Sequence, residues 1–237
     1  MAVDSVAVEA SGLCRRYGRR WALVDVSLRV PLATVVMVTG RNGSGKSTLL
    51  RVLATAIRAD RGGARVLGYD CRTQRDAVRR SVALLGHYSY LYEALTPLDN
   101  LAIAARFLWP RGGGPSPRAL LEEVGLADRA DDPVSTFSAG MRKRLSLART
   151  LLQDAPVVLL DEPYGQLDPP GFRLVDGLLG RLKQSGRTVL MATHLLERGS
   201  AICDQAVVLE QGRLVWSGPA AQVPEASSAA LPAGAPR

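Results

Sequence analysis

Apolar and polar residues alternate along residues 3–10 and again along 24–30, the period of strands with one covered and one wetted face. Those two stretches predict a small, partly exposed antiparallel sheet beside the main body. A different pattern holds at residues 35–39, 157–160 and 188–193, which are apolar without interruption. Such runs belong to strands covered on both faces, as in a parallel sheet flanked by helices. Between them the spacing turns helical. Leu49, Leu50, Val52, Leu53, Ala56 and Ile57 recur on one face after Lys46, and residues 60–63 close that helix. Leu174, Val175, Leu178, Leu179 and Leu182 repeat the pattern after Pro169-Pro170, where a proline in the first turn orphans no N–H. Residues 207–209 and 214–216, joined through Glu210-Gln211-Gly212-Arg213, predict a closing hairpin. Strand and helix in alternation make an α/β core.

Composition narrows the class. At 237 residues, with 47% apolar and 22% charged side chains, the chain is long enough for one or two domains on a shared core and excludes a disordered or fibrous protein. The exception is residues 219–237, rich in Ala, Pro and Ser, where disorder is expected. Arg111-Gly112-Gly113-Gly114-Pro115 predicts a surface loop inside a helical region of about residues 82–150. The net charge is +8, and of 30 cations all but Lys46, Lys143 and Lys183 are Arg. They are scattered, which argues for a solvated surface rather than a nucleic-acid footprint and would favour an anionic membrane face. Cys14, Cys71 and Cys203 are odd in number and widely spaced, so no disulfide or zinc pattern is indicated and a reducing cytosol fits. No run approaches the roughly 18 apolar residues of a bilayer span, and the amino end, with Asp4 and Glu9, lacks a basic-then-apolar signal. The chain is expected neither to span a membrane nor to be exported.

The strongest chemical signal is Gly40-Arg41-Asn42-Gly43-Ser44-Gly45-Lys46-Ser47-Thr48, lying between an apolar run and a helical pattern. Glycines let backbone N–H groups close around phosphates, and a helix amino end adds positive potential. Lys46 reaches the terminal phosphates, while the Ser47 hydroxyl can ligate Mg²⁺. ATP and Mg²⁺ are the implied ligands. Downstream, Asp161-Glu162 follows four apolar residues and falls at the carboxyl end of a buried strand, the edge where ligands gather in such sheets. Asp161 can hold the metal indirectly; Glu162 can orient and partly deprotonate an attacking water. By composition alone both would be surface loop acids.

Phe137-Ser138-Ala139-Gly140-Met141-Arg142-Lys143-Arg144 resembles the signature of ATP-binding cassette (ABC) ATPases, usually Leu-Ser-Gly-Gly-Gln. The order of glycine loop, signature and acid pair matches too, over residues 1–218. The resemblance implies a P-loop NTPase (RecA-like) fold: a parallel-sheet core, an N-terminal antiparallel β subdomain and an inserted α-helical subdomain. It implies a second cassette, identical or not, whose ATP is met in trans by Ser138, Ala139, Gly140 and Met141; read alone, Ser138 is an ordinary helix cap. It further implies that Tyr17 stacks on adenine, that Asp168 belongs to the loop crossing the dimer, and that His194 is the switch histidine acting beside Glu162 and Lys46. The chain would then be a transport-coupled ATPase, peripheral at the cytoplasmic face of the cell membrane, docked through its helical region on a separate integral membrane subunit.

Departures accompany the matches. The family's metal-binding Gln has no counterpart between Gln74 and Gln153, and His87 stands at its expected place, a poorer donor for Mg²⁺ than a carbonyl oxygen. Ala139 replaces a glycine, Met141 a glutamine, and Gln166 stands where glycine is common. Leu85-Gly86-His87 and Ser138-Ala139-Gly140 are similar to the haem exporter cassette of cytochrome c maturation, although related cassettes drive drug, polysaccharide and sodium export. Two rivals are a soluble ABC ATPase acting on nucleic acid or ribosomes and a non-hydrolysing scaffold. The first would carry paired cassettes, coiled-coil heptads or zinc spacing, and no nucleic-acid partner is expected here.

Overall fold

A computed structural model describes residues 6–223. β1 (Val6–Tyr17) and β2 (Arg20–Pro31) pair antiparallel, as the alternation predicts from residue 6 onward. β3 (Val35–Thr39), buried at every position, leads into α1 (Lys46–Leu53). The chain then returns to the first hairpin: β4 (Arg61–Val66) pairs with β1 and β5 (Tyr69–Asp70) with β4, giving a four-stranded sheet in the order β2-β1-β4-β5. Next come α2 (Arg75–Ser81), β6 (Val82–Leu85), α3 (Pro97–Leu108), α4 (Pro117–Glu123) and α5 (Ala139–Leu151). β7 (Val157–Asp161), α6 (Pro169–Gln184), β8 (Thr188–Ala192) and α7 (Leu196–Ile202) follow. The described chain closes on β9 (Gln205–Glu210) and β10 (Arg213–Pro219), which pair antiparallel across the turn Gln211-Gly212, both at positive φ (46° and 81°) as a two-residue hairpin requires.

The second sheet has six strands in the order β10-β9-β3-β8-β7-β6, parallel throughout except for β10. Its two faces feed separate cores. Val35 and Met37 pack with Leu145, Leu147 and Leu179 from α5 and α6. Val36 and Val38 pack instead with α1 and with Leu13, Leu23 and Val66 of the antiparallel sheet. Successive side chains of β3 thus point into opposite cores, which is why the run shows no alternation. α3, α4, α5 and α6 start on side-chain caps: Thr96, Ser116, Ser138 and Asp168 each accept a backbone N–H of the first turn, with proline in the first turn of α3, α4 and α6.

Four expectations need correction. The helix after Lys46 ends at Leu53 rather than Ile57, and Thr55 turns left-handed at φ 57°. Gly62 and Gly63 lie inside β4 rather than stopping a helix; a Cβ on Gly62 would stand 2.2 Å from the Gly12 carbonyl, so glycine permits the close strand approach. The helical region expected from about residue 82 opens with a strand, because residues 82–85 pair with β7 at the sheet edge. The expected tail begins too early: β10 continues through Pro219, and residues 220–222 form a 3₁₀ turn with Ala220 buried. Residues 224–237 of that tail, and residues 3–5 of the first strand pattern, lie outside the described residues.

Burial pushes the Cys71 thiol up to about 11 and the Cys203 thiol up to about 12, with Asp70 and Asp204 adding in the same direction. Unfolded thiols ionise near 9.0, so above that pH the folded chain binds more protons than the unfolded one. Stability is therefore intact below pH 9 and falls as pH rises toward 12. Urea midpoints should drop between about pH 8 and about pH 10.5, and less steeply in Cys203→Ala. A flat profile would show that these thiols do not control alkaline stability.

Candidate active site

β3 delivers the chain into a loop that is wedged on both sides. Gly40, Gly43 and Gly45 lie at φ 136°, 78° and 109°. A Cβ on Gly40 would stand 2.0 Å from the Leu209 carbonyl, and one on Gly45 2.4 Å from the Ala22 carbonyl, so backbone packs directly on backbone. The turn of the closing hairpin holds the loop through Gly212 N–H donating to Ser44 O at 3.0 Å, while Val24 N–H donates to Gly212 O at 2.7 Å. Lys46 folds back over the loop and donates to the carbonyls of Gly40 (2.7 Å) and Arg41 (3.2 Å). Burial holds the Lys46 ammonium below its ordinary value, partly offset by Glu162 and Asp161. The buried Ser44 hydroxyl has no hydrogen-bond partner, which leaves an unused polar group inside the loop.

The acids arrive on the neighbouring strands. In register, Val38 pairs with Ala192 and Ala192 with Asp161, so the carboxyl ends of β3, β8 and β7 lie at one edge. Asp161 is buried and accepts a hydrogen bond from Ser47 Oγ at 2.9 Å, bridging the acid strand to the phosphate loop. Glu162 leaves the strand in the left-handed region at φ 47°, its N–H still donating to Ala192 O at 2.9 Å. Its Oε2 lies 3.0 Å from His194 Nδ1. A carboxylate and an imidazole in contact beside a glycine loop form a pair able to hold and move a proton of water. The oxygens of Ser47 and Asp161 are the hard donors that Mg²⁺ prefers.

His87 is exposed, packs edge-on against Tyr88 at 5.5 Å, and lines a cleft of about 610 Å³ together with Asn42, Ser47, Asp161, Glu162 and His194. Ala139 reaches the same cleft. Ser138 caps α5 by accepting from Met141 N–H at 3.2 Å, and a Cβ on Gly140 would stand 3.1 Å from the Gln166 carbonyl. The signature segment therefore abuts the loop between Glu162 and Asp168. Asp168 caps α6 through Gly171 N–H (2.9 Å) and takes Arg144 at 3.0 Å; that amide and that guanidinium hold its carboxyl below the ordinary range. Tyr17 is half-exposed at the end of β1 with the Arg15 guanidinium 5.0 Å from its ring centroid. Arg20, across the same turn, approaches Gly43 closely, so a Cβ there would stand 3.3 Å from its guanidinium.

Two cations escaped the sequence reading. Lys143 donates to the Asp161 carbonyl at 3.4 Å and is lowered by burial, against the pull of Asp161 and Glu162. Arg149 donates to the carbonyls of Ser89 (3.3 Å) and Tyr90 (2.6 Å), pinning the segment that carries His87 to α5. Both sit on a helix with an acid-free first turn; Lys143, one of three lysines in an arginine-rich chain, was the available signal. At the glycine loop, Gly45→Ala should lower stability by about 2 kcal/mol or more. It should also weaken binding of a fluorescent nucleoside triphosphate at least about tenfold. Unchanged affinity in a titration would show that the wedge against Ala22 is not required.

Residues 23–165 match the family described as ABC transporter. The daunorubicin/doxorubicin resistance ATP-binding protein DrrA of Streptomyces peucetius is 36% identical over 90% of this chain and 65% of its own length. The daunorubicin resistance ATP-binding protein DrrA3 of Streptomyces coeruleorubidus is 39% identical over 90% of this chain and 68% of its own. The chain thus spans about two thirds of those relatives. The phosphonates import ATP-binding protein PhnC 2 of Pseudomonas syringae is 35% identical over 90% of this chain and 84% of its own. Among solved structures, an ATP-binding subunit of an ABC transporter superposes with a TM-score of 0.80 at 27% identity, covering 90% of each chain. The fold also matches a dimeric ATP-binding cassette in a post-hydrolysis state bound to ADP and phosphate, with a TM-score of 0.81 at 23% identity over 90% of this chain and 98% of that one. With a family match over more than half its length and relatives this similar across nine-tenths of it, the chain belongs to the ABC transporter family and is one of its ATPase cassettes.

Proposed function

We propose that the chain is the ATP-hydrolysing motor subunit of an ABC transporter. The observation that carries this is the Glu162–His194 contact at 3.0 Å, set beside a phosphate loop whose Ser47 is already bonded to Asp161. In this reading Gly40 to Thr48 wrap the triphosphate of ATP, and Lys46 exchanges its carbonyl partners for the terminal phosphates. Ser47, and Asp161 indirectly, would hold Mg²⁺, with His87 lining the same cleft; the metal would supply charge neutralisation at the phosphates. Glu162 orients the water and takes its proton, and His194 fixes the carboxylate. Tyr17 stacks on adenine. Ser138, Ala139, Gly140 and Met141 of a second cassette close over the γ-phosphate, and Asp168 lies at that dimer seam. Catalysis is then mostly positioning and electrostatics.

In this reading the transported substrate passes through a separate membrane subunit; no described helix is long and apolar enough to cross a bilayer. We place this subunit at Tyr88, Tyr90, Phe107 and Arg149, on a cleft of about 850 Å³ that also reaches Ser47, His87 and Asp161 of the phosphate site. The cassette then sits peripherally at the cytoplasmic face of the membrane. For cargo, export of a drug-like compound is favoured by the daunorubicin-resistance relatives at 36% and 39% identity. Haem export is the second reading, favoured by Leu85-Gly86-His87 and Ser138-Ala139-Gly140.

Glu162→Gln should lower turnover by about 10² to 10⁴ while ATP affinity stays within about threefold and the ATP-bound dimer becomes stable enough for size-exclusion chromatography. Wild-type phosphate release from that variant would remove Glu162 from the chemistry. Absence of phosphate release from the wild-type chain with its membrane partner would favour a scaffold. Stimulation by nucleic acid with a steep salt slope would favour the soluble rival.

A further inference from the structure

The segment from Glu162 to Asp168 carries two non-glycine residues in the left-handed region, Glu162 at φ 47° and Gln166 at φ 67°. Such backbone persists where the surroundings over-determine it. Between the two lies Tyr164, 2% exposed, its ring edge-on to Phe172 of α6 at 5.5 Å. The Tyr164 hydroxyl donates to Asp176 Oδ1 at 2.8 Å. The other oxygen of Asp176 accepts from Arg198 Nη1, on α7 four residues after His194. The Arg198 guanidinium also lies over Phe172, 5.0 Å from its centroid, and 5.7 Å from that of Tyr164. Three side-chain contacts, Tyr164 to Asp176, Asp176 to Arg198 and His194 to Glu162 at 3.0 Å, close a ring whose other two links are the short chain segments 162–164 and 194–198.

We infer that Asp176 is a positioning residue: by gripping Tyr164 on one side and Arg198 on the other, it sets the separation of Glu162 and His194. Neither Tyr164, Asp176 nor Arg198 reaches the nucleotide cleft, so each acts through the pair and not on substrate. The grip is well suited to hold through turnover. Burial and the Asp176 hydrogen bond push the Tyr164 phenol well above its ordinary value, so it stays a donor at any working pH. The carboxylate of Asp176 takes one donor on each oxygen, and a two-sided hold of this kind fixes orientation as well as distance.

The inference rests on the hydrolytic roles proposed for Glu162 and His194, and the test separates the two. In the full-length chain, Asp176→Asn and Tyr164→Phe should each lower kcat about tenfold, with the KM for ATP within about twofold. In a His194→Ala background the same changes should cost less than about twofold more, because the pair they position is already broken. The chain has two histidines, His87 and His194, so the ring resonances can be assigned by single substitution. Asp176→Asn should move the His194 ring signal and leave that of His87 in place. Wild-type kcat in both variants, an undiminished loss in the His194→Ala background, or an unmoved His194 signal would overturn the brace. Should Asp176→Asn fold poorly, Tyr164→Phe removes one hydroxyl and carries the test. Wild-type turnover in Glu162→Gln would instead overturn the hydrolytic reading, and the His194 resonance would still judge the brace.

Discussion

The parallel register that sets Val38 against Ala192 and Ala192 against Asp161 determines where every reacting group can be. Strands about 4.8 Å apart bring three chain exits side by side, and each exit delivers one kind of chemistry: a phosphate loop, a pair of acids, a histidine. The register in turn depends on both faces being buried. Val35 and Met37 are locked into one core, Val36 and Val38 into the other, so a one-residue slip would exchange both sets at once. Precision at the site is thus inherited from packing some distance below it.

Electrostatics at that edge are arranged around two cations, Lys46 buried and Lys143 half-buried. Lys46 from the phosphate loop and Lys143 from α5 are both disfavoured by desolvation and both supported by Asp161 and Glu162. Each cation already has carbonyl partners, Gly40 and Arg41 for Lys46 and Asp161 for Lys143. An arriving anion therefore meets charges that are in place, and little reorganisation is left for the moment of reaction.

Much of this was legible in the sequence, and the failures have physical causes. β3, β7 and β8 were visible because a doubly covered strand must be apolar at every position, and the glycine loop because Gly40 and Gly45 leave no room for a Cβ. β4 was missed because Gly62 and Gly63 carry no pattern; the closeness of β1 that demands glycine is a tertiary fact. β6 was missed because residues 82–85 are too short to distinguish from helix. The paired acids and His194 could be named from their places after buried runs. Their contact could not, and neither could the Tyr164–Asp176–Arg198 link, which joins residues 12 and 22 apart through side chains alone. The resemblance to haem-exporter cassettes rested on two tripeptides. The family membership rests on nine-tenths of the chain.

The wedging of the glycine loop bears on synthesis as well as on binding. Ser44 is tied to Gly212, and Gly40 rests against Leu209, across about 170 residues of intervening chain. A ribosome delivers the strand–loop–helix unit about 170 residues ahead of the hairpin that buttresses it. Until that hairpin emerges, the loop lacks its outer wall, and a growing polypeptide holds an unfinished cradle. Closure of the phosphate loop is thereby tied to completion of the far edge of the six-stranded sheet.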